Sequence, residues 1–339
     1  MVKHLLPQIP RYFKANLHTH STFSDGKMTP KECKDLYKSK GYSILALTDH
    51  NIVADHSNLN DANFLMLTGA EYNFDAPNLP YAHLKTYHLN FIAKRPDLLW
   101  QPFISTTHKH FEDVSDHLAK AEIEGMPQVY DTDVINAIIA RANEKGHFVT
   151  YNHPAWSLQD YTDYAPLKGL WGMELCNTSC MLGGLEDDEH CSMVYRDLMN
   201  LTGRIFPVCA DDAHGPSSAC GAWIMIGAKE LEYSSVIEAM ERGDFYASNG
   251  PEIHNLTWDG EFLEINCSDA KDITVLSNGR YWRRVRPAEG EATVQHAKID
   301  MHIWRDRCQD GFLDWFRVVV HDQNGHYAST RAFTREELK

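Results

Sequence analysis

The sequence has no C-x-x-C pair, no apolar run long enough to cross a membrane, and a marked shortage of positive charge. Each absence narrows what the chain can do. The eight cysteines lack paired spacing, and Cys176 and Cys209 sit inside apolar runs, so they read as reduced core residues rather than a disulfide framework. The longest apolar stretches, such as Ala222–Ile226, fall far short of the roughly 20 residues of a spanning helix. Met1–Lys14 lacks the apolar segment of a signal peptide, and a cytoplasmic protein is expected. Lys and Arg total 32 against 47 Asp and Glu, a net charge of −15. A nucleic-acid coat protein or a binder of anionic membranes needs a cationic face, so neither partner is expected. A small phosphorylated substrate stays open, because it meets a local field rather than the net charge. What the chain has in excess is histidine, 19 in all. So many imidazoles in an acidic protein hint that metal sets that local field.

At 339 residues, with 43% apolar and 23% charged residues, the chain can bury a core and suits about two domains of ordinary size. Up to about residue 245, short apolar runs alternate with helical stretches. The runs are Ala15–His18, Ser43–Leu47, Phe64–Ala70, Thr86–Ile92, His147–Tyr151, Trp171–Cys176, Arg204–Ala210 and Ala222–Ile226. They show little polar alternation, as strands buried on both faces should. Thr29, Pro30 and Glu32 form a helix start signal, and that helix should end near Gly41. Asp131–Glu144 reads as another helix, with Gly146 just past its end. Alternating β and α implies a parallel sheet with right-handed crossovers, and about seven units suit a barrel better than an open sheet. Residues 94–128 form an insertion of weak pattern, a candidate lid or part of a mouth.

After Gly250-Pro251 the pattern changes. Asp259-Gly260, Asn278-Gly279 and Asn324-Gly325 are hairpin signals suited to type I′ turns. No helix is expected before Thr334–Leu338. The division is therefore 1–250, an α/β domain, and 251–339, a small all-β, sandwich-like domain. Trp258, Trp282, Trp304 and Trp315 read as core or interface aromatics there. Arg280, Arg283, Arg284 and Arg286 read as a solvated strand face.

The chemistry lies at the ends of the apolar runs. His18 and His20, two apart at the end of the first, point to one face and can grip one metal. Asp25 follows in the next loop. Asp49-His50 ends the second run, Glu71 the third, and His88 lies within the fourth. His153 ends the fifth, and Asp212-Ala213-His214 ends the seventh, mirroring the first. Active sites of parallel barrels sit at these carboxyl ends. Core histidines would not fall there repeatedly.

His18-Thr19-His20-Ser21, Ser24-Asp25-Gly26, Leu47-Thr48-Asp49-His50-Asn51, Gly69-Ala70-Glu71, Asn152-His153-Pro154 and Asp211-Asp212-Ala213-His214 arrive in an order that resembles the PHP (polymerase and histidinol phosphatase) superfamily over about 14–250. The resemblance implies a distorted seven-stranded, TIM-like β/α barrel, two or three divalent transition metals (Zn, Fe or Mn) and mostly phosphoesterase activity. It implies His18, His20, Glu71 and Asp212 as ligands of one metal. Asp25, His50, Glu71 and His214 would hold a second, and His88 and His153, again with Glu71, a third. Two departures stand out. Asp25 is a carboxylate where some members use His. The surroundings of His88 lack the His-x-x-Gly often found there, which makes His83 a rival ligand. Filled with three divalent ions, six imidazoles and three carboxylates would form a centre of about +3 in an acidic protein. Asp49 and Asp211 are candidates to lower that charge and orient ligands.

The reaction so implied is hydrolysis of a small phosphorylated metabolite or nucleotide by a hydroxide bridging two metals, with Glu71, Asp212 and His214 at the catalytic centre. Lys27, Lys85, Arg196 and Arg204 are candidate phosphate-binding cations. His108 and His110 could protonate a leaving group. Trp156 could stack on substrate, and Asn177 and Thr178 face the same mouth. A competing reading is an amidohydrolase-like metal enzyme cleaving C–N bonds, which also opens on H-x-H. The Asp212-x-His214 ending and a Glu71 bridge favour phosphoester chemistry. A non-catalytic metal-binding scaffold is the third reading, and it has no need for all nine ligand candidates. The oligomeric state stays open.

Overall fold

A computed structural model of the chain describes residues 2–9, 11–77, 85–105, 113–184, 188–307 and 314–339. All eight apolar runs form strands: β1 Phe13–Asn16, β2 Ile44–Leu47, β3 Leu65–Asp75, β4 Thr86–Ala93, β5 His147–Tyr151, β6 Gly172–Asn177, β7 Phe206–Ala210 and β8 Trp223–Ile226. β2, β4, β5, β6 and β7 are buried throughout, which is why their sequences show no polar alternation. β1 ends two residues earlier than expected. His18 and His20 therefore lie just beyond it, on backbone held by a parallel bridge between Thr19 and Ala213.

Hydrogen bonds order these strands β7-β6-β5-β4-β3-β2-β1-β8. The pairs β1–β2, β2–β3, β5–β6 and β6–β7 are parallel. The pairs β3–β4, β4–β5 and β1–β8 are antiparallel. The sheet is thus mixed, not all-parallel as expected. Residues 76–85 are too few for the crossover of about a dozen residues or more that a parallel link requires. The segments after β1 and β7 are tied by His20 N to Ala213 O (3.0 Å) and Asp212 N to His18 O (2.9 Å).

Four long helices accompany the sheet: α1 Pro30–Ser39, α2 Thr132–Lys145, α3 Asp188–Thr202 and α4 Tyr233–Arg242. Thr29 and Glu32 form the expected capping box of α1. Asp131 caps α2, which buries Ile135, Ile138, Ile139 and Ala142 and ends at Gly146 in the left-handed conformation that glycine tolerates. In the insertion, Trp100–Gln101 pairs with Glu122–Ile123, and Trp100 and Phe103 join the core under β4.

Beyond Ser248 the chain is mostly β. Strand β9 Phe245–Ser248 is followed by β10 Ile253–Trp258, β11 Phe262–Ala270, β12 Asp272–Ser277, β13 Trp282–Val285, β14 Val294–Asp300, β15 Trp315–His321 and β16 Tyr327–Thr330. The first sheet continues from β8 through β9-β16-β15-β12 to β13. Lys3–His4, β10, β11 and β14 form a second sheet, and Leu256, Ile265, Val275, Phe316 and Val318 share the apolar cluster that joins the two.

The three hairpins occur, but not on type I′ turns. Gly260 and Gly325 have positive φ (102° and 90°), whereas Asp259, Asn278, Gly279 and Asn324 do not. The connections are longer than two residues, so a single left-handed glycine at most is needed. A short helix, His302–Arg307, was not expected. It starts on Asp300, whose carboxylate accepts from His302 N at 2.8 Å. One and a half turns leave no periodicity to read. Among the described residues, no helix is long and apolar enough to cross a membrane.

Candidate metal centre

Glu71 lies fully buried within the eleven-residue β3, not at its end, with β4 carried alongside it as far as Thr86. Five imidazoles surround its carboxylate. His18 Nε2, His88 Nδ1 and His153 Nε2 lie 3.2, 3.1 and 3.3 Å from Oε1, and His50 Nδ1 and His20 Nε2 lie 3.2 and 3.4 Å from Oε2. Asp212 faces the same space, with Oδ1 2.9 Å from His20 Nε2 and 3.3 Å from His18 Nε2. Toward solvent, Asp25 lies 3.3 Å from His214 Nε2 and 3.8 Å from His50 Nε2. All nine candidate ligands therefore meet in one cluster, and only Asp25 and His214 are appreciably exposed.

Three groups have donor atoms close enough to share an ion: His18, His20, Glu71 and Asp212; His20, Asp25, His50 and His214; and His50, Glu71 and His88. The first matches the set implied by the resemblance. The second brings in His20 in place of Glu71, and the third His50 in place of His153. The donors themselves argue for cations. Glu71 Oε2 and Asp212 Oδ1 are buried and accept no well-formed hydrogen bond, although ring nitrogens approach to 3.2 and 2.9 Å. Carboxylate oxygens and imidazole nitrogens crowd like this when a divalent ion is what they share. The residues present fit such ions.

The electrostatics agree. Burial alone would depress His18, yet Glu71, Asp212 and Glu174 hold its imidazole well above the usual value. Burial is likewise overcome at His20, raised to about 10 by Asp212 and Glu71, and at His153, raised to about 9 chiefly by Glu71 and Asp212. Burial and the neighbouring His20 push His50 well below its usual value. Glu71 and Asp212 stay ionised, since the surrounding imidazoles outweigh the cost of burying them. Protons here stand where positive charge is required, and a bound metal would displace them.

A second layer fixes the first. Glu174, inside β6, accepts from His18 Nδ1 at 2.7 Å, His153 N at 3.1 Å and Asn177 Nδ2 at 3.0 Å. The first contact leaves His18 Nε2 as the nitrogen facing Glu71 and Asp212. Sequence reasoning missed Glu174. A carboxylate in the middle of Trp171–Cys176, an otherwise apolar buried strand, was the available signal, because such a charge needs a partner. Asp49 and Asp211 do not orient histidines as expected. Asp49 accepts from Ser21 N, Ser21 Oγ and Ser24 Oγ, closing the loop that carries Asp25. Asp211 gathers Asn16, Tyr37, Thr178 and the backbone of residues 220–222. His153 and Asp212 have positive φ, 27° and 52°, a strain of about 1–3 kcal/mol each where ligands are aimed. Gly26 is required by close approach: a Cβ there would lie 2.3 Å from His20 O.

The remaining candidates divide. Trp156 is an exposed rim aromatic, its ring 5.0 Å from His153 and 5.4 Å from His88. Asn177 is fully buried and committed to Glu174, Asp212 (3.3 Å) and the N-cap of the short helix Thr178–Leu182, so its polar atoms are spent on positioning. Thr178 Oγ1 donates to Asp211. Lys27 is exposed, packs its stem beside Gly215 and has no ion-pair partner among the described residues. Lys85 is held by Asp160 and Asp163, Arg204 by the Glu241 carbonyl, and Arg196 lies by Asp197. His83, His108 and His110 lie outside the described residues.

Residues 16–168 match the family model described as the PHP domain. A "5'-3' exoribonuclease" of Haemophilus influenzae is 31% identical over 124 residues, which are 35% of this chain and 43% of that protein. The chain thus spans less than half of that relative's length. Among solved structures, a two-domain protein from Bacteroides vulgatus, described as containing a PHP-like metal-dependent phosphoesterase, aligns at 15% identity and TM-score 0.45, covering 88% of this chain and 89% of that one. An amidohydrolase from Chromobacterium violaceum aligns at 15% identity and TM-score 0.41, covering 68% and 96%. The lesion-specific endonuclease of Pyrococcus furiosus aligns at 13% and 0.41, covering 68% and 56%. At these scores the structural likenesses say nothing of activity.

Proposed function

We propose that the chain is a metal-dependent phosphoesterase acting on a small phosphorylated metabolite or nucleotide. The observation that carries the reading is the buried Glu71 carboxylate ringed by five imidazole nitrogens at 3.1–3.4 Å. His18, His20, Asp25, His50, Glu71, His88, His153, Asp212 and His214 would hold two or three divalent transition metals, Zn, Fe or Mn. When bound, such ions supply Lewis acidity toward a phosphoryl oxygen and a water acidic enough to attack near neutral pH.

The chain's own residues do the rest. Glu71 and Asp212 bring the negative charge that concentrates cations under the mouth. Glu174 and Asn177 keep His18, His153 and Asp212 in one geometry, so no reorganisation is needed during reaction. Asp25 and His214 form the open side, where a phosphoryl group would arrive. Lys27 stands beside them as a cation for its oxygens, and Trp156 offers the far rim to the organic part of the substrate. In this reading the seven strands β1–β7 close as a distorted barrel through the His18–Asp212 and His20–Ala213 backbone bonds. The division at residue 250 separates a catalytic unit from a β-rich one. A cytoplasmic location belongs to the same reading.

The test is a panel of phosphomonoesters, phosphodiesters and amides, run with wild type and His18→Ala. Phosphoester turnover lost in the variant supports the proposal. Turnover of amides alone would replace it with the C–N hydrolase reading.

A further inference from the structure

Strand β13, Trp282–Val285, is the outer edge of the large sheet, since β12 is its one neighbour in the strand order. Its side chains alternate: Trp282 and Arg284 face outward, with Arg280 two residues before and Arg286 two residues after, all four more open than Tyr281, Arg283 and Val285 between them. Trp282 is 59% exposed, whereas Trp258, Trp304 and Trp315 are 2–4% exposed in the same part of the fold. Residues 278–288 hold four arginines and no acid, in a chain of net charge −15. Arg284 lies 3.7 Å from Asp272 and donates to Thr274 Oγ1, and Arg283 covers the Tyr281 ring. Arg280 and Arg286 have no ion-pair partner among the described residues.

Protecting an edge strand from aggregation explains charge on it, but not a large aromatic left open at its start. Same-face neighbours on a strand stand about 6.7 Å apart. The strand therefore presents a flat ring beside a cation, with exposed Arg280 in the preceding loop and exposed Arg286 just past the strand end, a combination that pairs phosphates with guanidinium groups and a base with an indole face. A membrane binder needs a wider apolar face than one indole, and an anionic peptide lacks a flat ring at each charge to stack on it. We propose that this edge binds an extended single-stranded nucleic acid, by stacking on Trp282 and by phosphate contacts to Arg280, Arg284 and Arg286. The surface is separate from the metal cluster, and the inference does not rest on the phosphoesterase reading. It also narrows the expectation drawn from net charge, because positive charge is concentrated locally in residues 278–288.

The test is fluorescence anisotropy of a labelled single-stranded RNA of about twelve nucleotides with the full chain, in excess chelator so that nothing is hydrolysed. Trp282→Ala should weaken binding by about tenfold or more. Arg286→Ala should weaken it and lower the slope of log affinity against log salt by roughly 0.7. His18→Ala should bind like wild type. Both β13 changes are at exposed positions, so folding is checked by unchanged melting. Several results would overturn the proposal: no binding by wild type, a loss below twofold in Trp282→Ala, duplex bound as tightly as single strand, or displacement by inorganic polyphosphate as readily as by unlabelled RNA. Loss in His18→Ala with none in Trp282→Ala would move the RNA to the metal mouth and overturn it equally.

Discussion

Replacing Glu174 with Gln removes one buried charge behind the metal cluster while keeping the side chain's volume. Three donors converge on this carboxylate, from His18 Nδ1, His153 N and Asn177 Nδ2. A glutamine offers one acceptor oxygen, and its NH2 must then face at least one of those donors. If the oxygen turns to His18, the clash falls on the His153 backbone and Asn177. If it turns away, His18 loses the partner that fixes its ring. Outer partners of ligating histidines are typically worth 10–100-fold in metal affinity, about 1.4–2.7 kcal/mol. We expect Glu174→Gln to weaken metal binding by that factor in competition with a chromogenic chelator. Hydrolysis should fall in parallel at limiting metal and recover in excess metal. An affinity within about threefold of wild type would show that Glu174 does not hold the geometry of His18 and His153.

Further outcomes follow from the same contacts. Glu71→Gln removes the carboxylate that five histidines face. It should lower metal content per chain and cut hydrolysis by more than about 100-fold, since an outer partner alone reaches that figure. Gly26→Ala drives a Cβ against the His20 carbonyl and should destabilise the fold by about 1–3 kcal/mol, read as a lower melting temperature, with weakened metal binding as His20 shifts. His147, buried at the start of β5 beside Trp100, is depressed by burial to about 4. It is neutral when folded, so the unfolded chain binds its proton first. Stability is full above pH 6.5 and falls as pH drops toward 4, by up to about 3 kcal/mol, and denaturant titrations of His147→Gln should show a shallower loss. Stripping metal with chelator should lower the melting temperature, since ions at 100 times their Kd stabilise the fold by about 2.7 kcal/mol.

Much of this was legible in the residues because two different signals coincide. Apolar runs without alternation marked the eight strands β1–β8, though not the two-residue strands Lys3–His4, Trp100–Gln101 and Glu122–Ile123, and ligand types at the ends of those runs marked the cluster. Sheet polarity was less legible. Alternating β and α elsewhere suggested parallel pairing, but β4 follows β3 across a link too short for a helix. A short link forces the antiparallel direction, whereas a long one permits either, as the antiparallel β4–β5 pair across α2 shows, and strand composition does not encode the choice. Glu174 escaped notice because a lone carboxylate in an apolar strand has no periodicity or motif, and its meaning appears only once His18 and His153 are beside it. Asn177 went the other way. Its position at a strand end suggested a substrate contact, and only the packing shows its amide committed to Glu174 and Asp212. Trp282 looked like its three core neighbours, since burial of one tryptophan on an edge strand depends on what lies across from it.

The central claim is that the imidazoles around Glu71 exist to hold metal. Elemental analysis of the chain purified without chelator tests it directly. The account predicts two or three divalent transition-metal ions per chain. A folded protein that carries none, and takes up none when Zn, Fe or Mn is supplied, would contradict it.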